Sequence, residues 1–262
     1  MRVGWREVEE KAQEWVREAG ALLLASLKES LVIETKTNAS DLVTNMDRHI
    51  EKYFIERIQR TYPTHRVLGE EGYGDEVASA EGTIWMIDPI DGTMNFVHQK
   101  RNFAISVGVY HEGEGMIGII YDPVHDEMYH AVRGEGAYCN GVRIAELQPG
   151  NVAEGVIAVN AMWLTENPKV NAEKMAALVR EARGTRSYGC AALEIVYVAT
   201  GRLDGYLTPR LSPWDFAAGA VIIQETGGII TTFAGRALDP VQKGSVLVAR
   251  PGVHPQLLEY VK

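Results

Sequence analysis

The stretch Trp85-Met86-Ile87-Asp88-Pro89-Ile90-Asp91-Gly92-Thr93-Met94-Asn95-Phe96 concentrates side chains able to do chemistry. It opens as an apolar run and ends as a turn. Asp88 and Asp91 stand three residues apart with Pro89 fixing the backbone between them, so both carboxylates can be aimed at one point from a strand end. Two carboxylates about 4 Å apart repel by roughly 4 kcal/mol at an effective dielectric near 20, and such crowding calls for a cation or a proton. An all-oxygen ligand set points to magnesium or manganese rather than zinc. Gly92 and Thr93 begin the next segment, where glycine lets the backbone approach a ligand and open N–H groups can hold a phosphate. The competing reading is that Asp88 and Asp91 only make turns and caps, which a lone Asp-x-x-Asp-Gly does not exclude.

More acids sit at element ends. Glu70 follows the short apolar run Val67-Leu68-Gly69, where a strand would end. Ser212-Pro213-Trp214-Asp215 reads as an N-cap, a proline at the first helical position and an acid in the first turn. Asp41 and Asp47 open another helical pattern. Each acid taken alone is equally readable as a cap or a helix-dipole partner.

The elements that must position these groups follow from periodicity. Apolar residues at helical spacing predict helices over 5–27 and 45–62, the second stopping at Pro63. Short apolar or alternating runs bounded by Gly, Pro and Asp predict strands at 83–87, 103–110 and 116–121. Asn140-Gly141 predicts a tight hairpin between 136–139 and 142–144. Past Pro149-Gly150, strands at 155–159, 205–208, 228–232 and 245–249 alternate with helices at 171–183, 191–200, 213–226 and from His254 onward. The reading is α+β, one catalytic unit over 1–262 with an α+β half (1–147) and an α/β half (151–262).

Bulk properties narrow the function classes. The 262 residues are 46% hydrophobic and 23% charged, enough for a full core without disulfides. The net charge of −9 argues against a nucleic-acid surface, and no Lys/Arg stripe suggests a membrane surface. Cys139 and Cys190 form no CxxC pair, no basic-then-apolar leader opens the chain, and the expected compartment is the cytoplasm. No His-x3-His pair supports a zinc hydrolase, and no Cys-x5-Arg loop supports a phosphocysteine route.

Lys36, Asp41-Leu42-Val43-Thr44 with Asp47, Gly69-Glu70-Glu71, Trp85 to Phe96, and Trp214-Asp215-Phe216-Ala217-Ala218-Gly219 stand in a telling order. In order and approximate spacing the chain resembles the inositol monophosphatase family of lithium-sensitive, metal-dependent phosphatases over nearly its whole length. Gly134 to Gly141 resembles the family's mid-chain hairpin. The resemblance implies a layered α-β-α-β-α sandwich, of the inositol monophosphatase and fructose-1,6-bisphosphatase type, assembled as a homodimer. It implies that Glu70, Asp88, Asp91, Asp215 and the carbonyl of Ile90 hold two or three magnesium ions, with manganese as an alternative, and that Asp88 bridges two of them. Thr93 and Asp47 would hold and deprotonate the attacking water and, with Glu70, form the catalytic set. Gly92 and Thr93 would bind phosphate. Lys36 would balance charge around Glu70.

Substrate choice is where the chain departs from the family pattern. Inositol-specific members carry a glutamate seven residues before the last metal aspartate; here that position is Thr208. Arg210, two residues on, could meet a second phosphate, or could be an ordinary exposed arginine. Ala191, in a stretch where serine is commoner than Cys190, should lie near the substrate along with Asp91 and Asp215. The expectation is a phosphatase for myo-inositol monophosphate and other small sugar or polyol phosphates. The alternatives are a fructose-1,6-bisphosphatase or nucleotide phosphatase (NADP or 3′-phosphoadenosine 5′-phosphate) and, in another class, a regulatory protein binding the transcription machinery.

Overall fold

The structure, a computed structural model, describes residues 4–29, 31–35 and 42–261. Lys36 and Asp41 lie outside them. Helix α1 (Trp5–Ser26) is followed by a small antiparallel pair, β1 (Ile33–Thr35) and β2 (Leu42–Thr44), and by α2 (Asn45–Thr61). Then come β3 (Arg66–Gly69), β4 (Thr83–Asp91), the short helix α3 (Thr93–His98), β5 (Ala104–His111), β6 (Glu114–Asp122), β7 (Glu127–Val132), β8 (Gly136–Cys139) and β9 (Val142–Arg143). These strands form one seven-stranded sheet in the order β3-β4-β5-β6-β7-β8-β9, with only the β3/β4 pair parallel.

The rest of the chain supplies β10 (Val156–Ala158), α4 (Ala172–Glu181), β11 (Gly184–Arg186), α5 (Ala191–Ala199), β12 (Gly205–Leu211), α6 (Pro213–Glu225), β13 (Ile229–Thr231), β14 (Gly244–Ala249) and α7 (Val253–Val261). The second sheet runs β11-β10-β12-β14-β13 and mixes parallel and antiparallel pairs.

Strand alternation assigns each face. On β4, Trp85 and Ile87 join Trp15, Leu23 and Phe54 of α1 and α2, while Ile84 and Met86 point the other way, toward α5 and α6. On β14, Val246 and Val248 share that middle layer, and Leu247 and Ala249 face Leu178 of α4 and Leu257 of α7. The layers are therefore helix, sheet, helix, sheet, helix. Every residue of α5 is buried because both sides of that helix meet a sheet, which is why its sequence shows no polar face.

Most elements lie within two residues of the expected boundaries. The exceptions are β4, which runs on to Asp91 rather than ending at 87, and β12, which reaches Leu211 rather than ending at 208. Strands β1, β2, β7 and β11 have no counterpart in the sequence expectation. Three of those are three residues long, and β11 is Gly-Thr-Arg, with no apolar side chain to signal it.

Candidate functional site

The end of β4 explains how two aspartates three apart serve one site. In a regular strand residues i and i+3 face opposite sides. Here Asp88 pairs with Ser106 and Asp91 with Ala104, so β4 carries one extra residue over that interval. This bulge, which contains Pro89, returns Asp91 to the side of Asp88. The Asp88 Oδ1 accepts from the Ile90 amide at 3.0 Å, which fixes the turn from within.

Glu70 reaches the site from the neighbouring strand, since β3 ends at Gly69 opposite Ile87. Asp215 arrives on α6: the Ser212 amide donates to its Oδ2 at 2.7 Å, and Pro213 sits at the start of the helix. Two glycines let α6 lie flat on β5 and β6. A Cβ on Gly118 would come within 2.2 Å of the Ala218 carbonyl oxygen, and one on Gly108 within 2.9 Å of the Ala217 Cβ. The Ser106 hydroxyl then anchors the first turn by donating to the Trp214 carbonyl at 3.0 Å.

Asp47 comes from α2. Its Oδ2 accepts from the Thr44 amide and hydroxyl at 2.7 and 2.6 Å, completing a reciprocal cap with the Thr44 side chain. Its Oδ1 lies 3.1 Å from the Thr93 hydroxyl, which also stands 3.0 Å from the Ile90 carbonyl. A hydroxyl has one hydrogen, so Thr93 donates to one of these acceptors at a time. Gly92 precedes α3 with φ of 88°, and a Cβ there would meet the Asn102 and Gly189 carbonyls at 3.1 and 3.2 Å. The first amides of α3 point out of the helix end toward the same region.

The electrostatics are those of crowded acids. Burial, then repulsion from Glu70, Asp91 and Asp215, pushes the Asp88 carboxyl well above the usual range. Asp215 is raised likewise by burial and by Asp91, with Lys243 offsetting part of the effect. Asp91 is pushed to about 6 by burial, against the Ala192 amide and Cys190 thiol that hold its Oδ2. Burial also raises Asp47 to about 6. Among the described residues, no three His, Cys, Asp or Glu side chains close on one point as a finished cage. Separated carboxylates and a carbonyl suit a hard cation that keeps waters and takes substrate oxygens, as magnesium does. The donor set therefore fits the metal the sequence implied.

Beside Asp91 opens a cavity of about 240 Å³, whose wall includes Cys190, Ala191, Glu194, Tyr206, Thr208 and Arg210. Thr208 is buried and Arg210 exposed; both line the cavity, and β12 is bulged between Thr208 and Leu211. Of the sequence candidates, Glu70, Asp88, Asp91 and Asp215 interact with one another, Thr93 joins Asp47 to Ile90, and Ala191, Thr208 and Arg210 gather at the cavity next to Asp91.

Three residues of this neighbourhood were not singled out from the sequence. Asn95 donates to the carbonyls of Asn102 and Tyr188 at 2.8 and 2.6 Å, tying α3 to the turn before α5. Glu194 accepts the Tyr188 amide at 2.6 Å from the other side of that turn, and burial lifts its carboxyl to about 7. Glu51 does the same for the turn after Glu70. Asn95 lay in plain view inside the motif. The two glutamates sit on predicted helices, where an acid reads as surface.

Comparison with known proteins identifies the family. Residues 5–262 match the model of the inositol monophosphatase family. An inositol-1-monophosphatase of Bacillus subtilis (strain 168) is 54% identical, covering 97% of this chain and 96% of that protein. A Nus factor SuhB of Vibrio cholerae is 36% identical, covering 94% and 92%. A solved IMPase/NADP phosphatase in complex with Mg2+ and phosphate superposes with a TM-score of 0.90 at 27% identity, covering 98% of this chain and 95% of that one. The five-layer fold, the crowded carboxylates and the match along almost the entire length together place this chain in the inositol monophosphatase family, a family of phosphoric monoester hydrolases.

Proposed function

We propose that the chain hydrolyses myo-inositol monophosphate and other small sugar or polyol phosphates, with magnesium held by Glu70, Asp88, Asp91, Asp215 and the Ile90 carbonyl. The observation that carries this reading is the Thr93–Asp47 contact beside four mutually repelling carboxylates, of which Asp91 lines a polar cavity. Two or three magnesium ions, or manganese, would supply Lewis acidity toward a phosphoryl oxygen and toward water. The amides of Gly92 and Thr93 orient the phosphate. The Thr93 hydroxyl holds the attacking water and passes its proton to Asp47 Oδ1, 3.1 Å away. The water oxygen bonds to phosphorus as the ester P–O bond breaks, and the departing alkoxide takes a proton from solvent. The products are inorganic phosphate and the free alcohol.

The cavity next to Asp91 takes the alcohol part, contacted by Ala191, Thr208 and Arg210. A second reading has a specific support: Arg210 lines that cavity where a glutamate is absent at 208. It favours a substrate with a second anionic group, such as fructose 1,6-bisphosphate, NADP or 3′-phosphoadenosine 5′-phosphate. The free thiols Cys139 and Cys190 support a cytoplasmic setting, and no helix among the described residues is long and apolar enough to cross a membrane. A homodimer is the proposed assembly.

The test is phosphate release from a panel of these esters, with and without magnesium, and with lithium added to the magnesium reactions. Magnesium-dependent release suppressed by lithium supports the mechanism and ranks the substrates. Absence of release from every ester would move the assignment to a binding role.

A further inference from the structure

Glu51 lies one helical turn beyond Asp47 on α2, so the two carboxylates project from one face of that helix. Glu51 is fully buried. Its Oε2 accepts the Glu71 amide at 2.6 Å and its Oε1 the Tyr73 amide at 2.8 Å, a two-pronged hold on the turn that follows β3. Backbone has been cleared to admit it: a Cβ on Gly69 would stand 2.4 Å from the Glu51 carboxyl carbon. Beyond the turn, the Lys52 ammonium sits 4.2 Å above the Tyr73 ring, and Asp75 closes the loop by accepting the Val67 amide at 2.8 Å. Between Gly69 and the first amide that Glu51 holds stands a single residue, Glu70, whose own amide donates to the Ile87 carbonyl at 3.3 Å.

We infer that Glu51 is a positioning residue for Glu70: by binding the amides on its far side, it fixes the direction in which Glu70 leaves β3 toward Asp88. A buried acid at this place is costly unless hydrogen-bonded, and the bonds it makes are to backbone, not to substrate or cation. Helix α2 thus sets both partners of the chemistry at once. Asp47 meets Thr93, and Glu51 aims Glu70. The inference rests on the proposed reading of Glu70 as a cation ligand.

Glu51→Gln and Glu51→Asp test it. Glutamine keeps one acceptor oxygen but turns an NH2 donor toward the second amide; aspartate keeps the charge but falls one methylene short. The first readout is amide hydrogen exchange at Glu71 and Tyr73 in the metal-free protein. The second is the rise in melting temperature as magnesium chloride alone is added, followed by the magnesium dependence of turnover. In Glu51→Gln, exchange at one or both amides should speed up about tenfold or more, the scale of one hydrogen bond to a charged group. The magnesium concentration for half the thermal rise should increase by a similar factor, by more than the loss of metal-free stability accounts for. Glu51→Asp should show the same direction with a smaller change. A Glu51→Gln protein with wild-type exchange or a wild-type magnesium response overturns the inference. So does a magnesium response that weakens only in step with lost metal-free stability in both variants. A wild-type protein that responds to magnesium neither thermally nor by turnover overturns the site reading and this inference with it, an outcome visible before any variant is made.

Discussion

The Thr93 hydroxyl stands 3.1 Å from Asp47 Oδ1 and 3.0 Å from the Ile90 carbonyl oxygen, bridging α2 and the end of β4 with a single side chain. The two elements come from different parts of the sequence, and the shared hydroxyl is where they meet. A water placed beside Thr93 therefore has a proton acceptor within one relay step.

Removing that relay should cost the rate and little else. Thr93→Val, which keeps the shape and loses the hydroxyl, should lower kcat by about 100-fold or more, the usual worth of a positioned proton acceptor. Asp47→Asn should do the same while retaining an oxygen to accept the Thr44 amide, so its melting temperature should drop only slightly. Steady-state kinetics and thermal melts on the same preparations check both. Turnover within threefold of wild type in either variant would remove the pair from the mechanism.

Crowded acids make the metal-free fold pay for its site, and Asp88 is repelled by three other acids of the site. Asp88→Asn keeps the acceptor for the Ile90 amide but removes the charge that Glu70, Asp91 and Asp215 repel. The variant should lose activity, yet melt higher than wild type without metal, by roughly 2–4 °C for each kcal/mol relieved. The sign of the pH effect follows. A carboxyl raised in the folded state, such as Asp91 at about 6, imposes no penalty below its unfolded value and its full penalty above the folded one. The advantage of Asp88→Asn should therefore grow as pH rises and shrink as wild type takes up protons on acidification. Scanning calorimetry in the presence of a chelator measures this, and an advantage that grows on acidification would contradict it.

How much of this was legible beforehand depended on whether the signal was local. Ile84 to Ile87 announces a buried strand because it is an unbroken apolar run, but Asp88-Pro89 reads as its end, three residues before β4 stops at Asp91. The bulge that puts Asp88 and Asp91 on one side was not legible, since it is a property of the pairing with Ser106 and Ala104. Asp215 was readable through Ser212-Pro213, a helix start written in four residues. Glu51 and Glu194 were not, because what makes them matter is an amide contributed from 20 or 6 residues away. Strand β7 escaped notice since Glu-Met-Tyr-His-Ala-Val shows no period-two alternation; it is held by pairing with β6 and β8 on either side.

Cys190 offers a chemical prediction. Its thiol lies 3.3 Å from Asp91 Oδ2, is almost fully buried, and is pushed well above the usual thiol range by burial and the neighbouring acids. Thiolate is the reactive form, so iodoacetamide should modify the half-buried Cys139 first and leave Cys190 intact in the folded protein. Cys190→Ser, which offers Asp91 a stronger donor, should keep turnover within about threefold, because the Ala192 amide holds the same oxygen. Peptide mass spectrometry after timed alkylation checks the order. Early modification of Cys190 would mean that the turn before α5 opens in solution.

Arg210 and Thr208 allow the proposed choice between one and two charged groups to be tested. Both line the cavity beside Asp91, one exposed cation and one buried hydroxyl, on the bulged end of β12. An arginine pairs with a phosphate through two parallel hydrogen bonds, whereas a polyol hydroxyl gains more from a carboxylate than from a neutral threonine. Arg210→Ala should therefore lower kcat/KM about tenfold or more for fructose 1,6-bisphosphate or 3′-phosphoadenosine 5′-phosphate, while changing inositol 1-phosphate by less than about threefold. Thr208→Glu should shift the preference the opposite way, because a carboxylate at the rim attracts ring hydroxyls and repels a second phosphate. The comparison is made as a ratio of kcat/KM values on one enzyme preparation, which cancels errors in the active fraction. If Arg210→Ala depresses all substrates equally, the arginine attracts anions to the site in general, and the choice of alcohol is made elsewhere in the cavity.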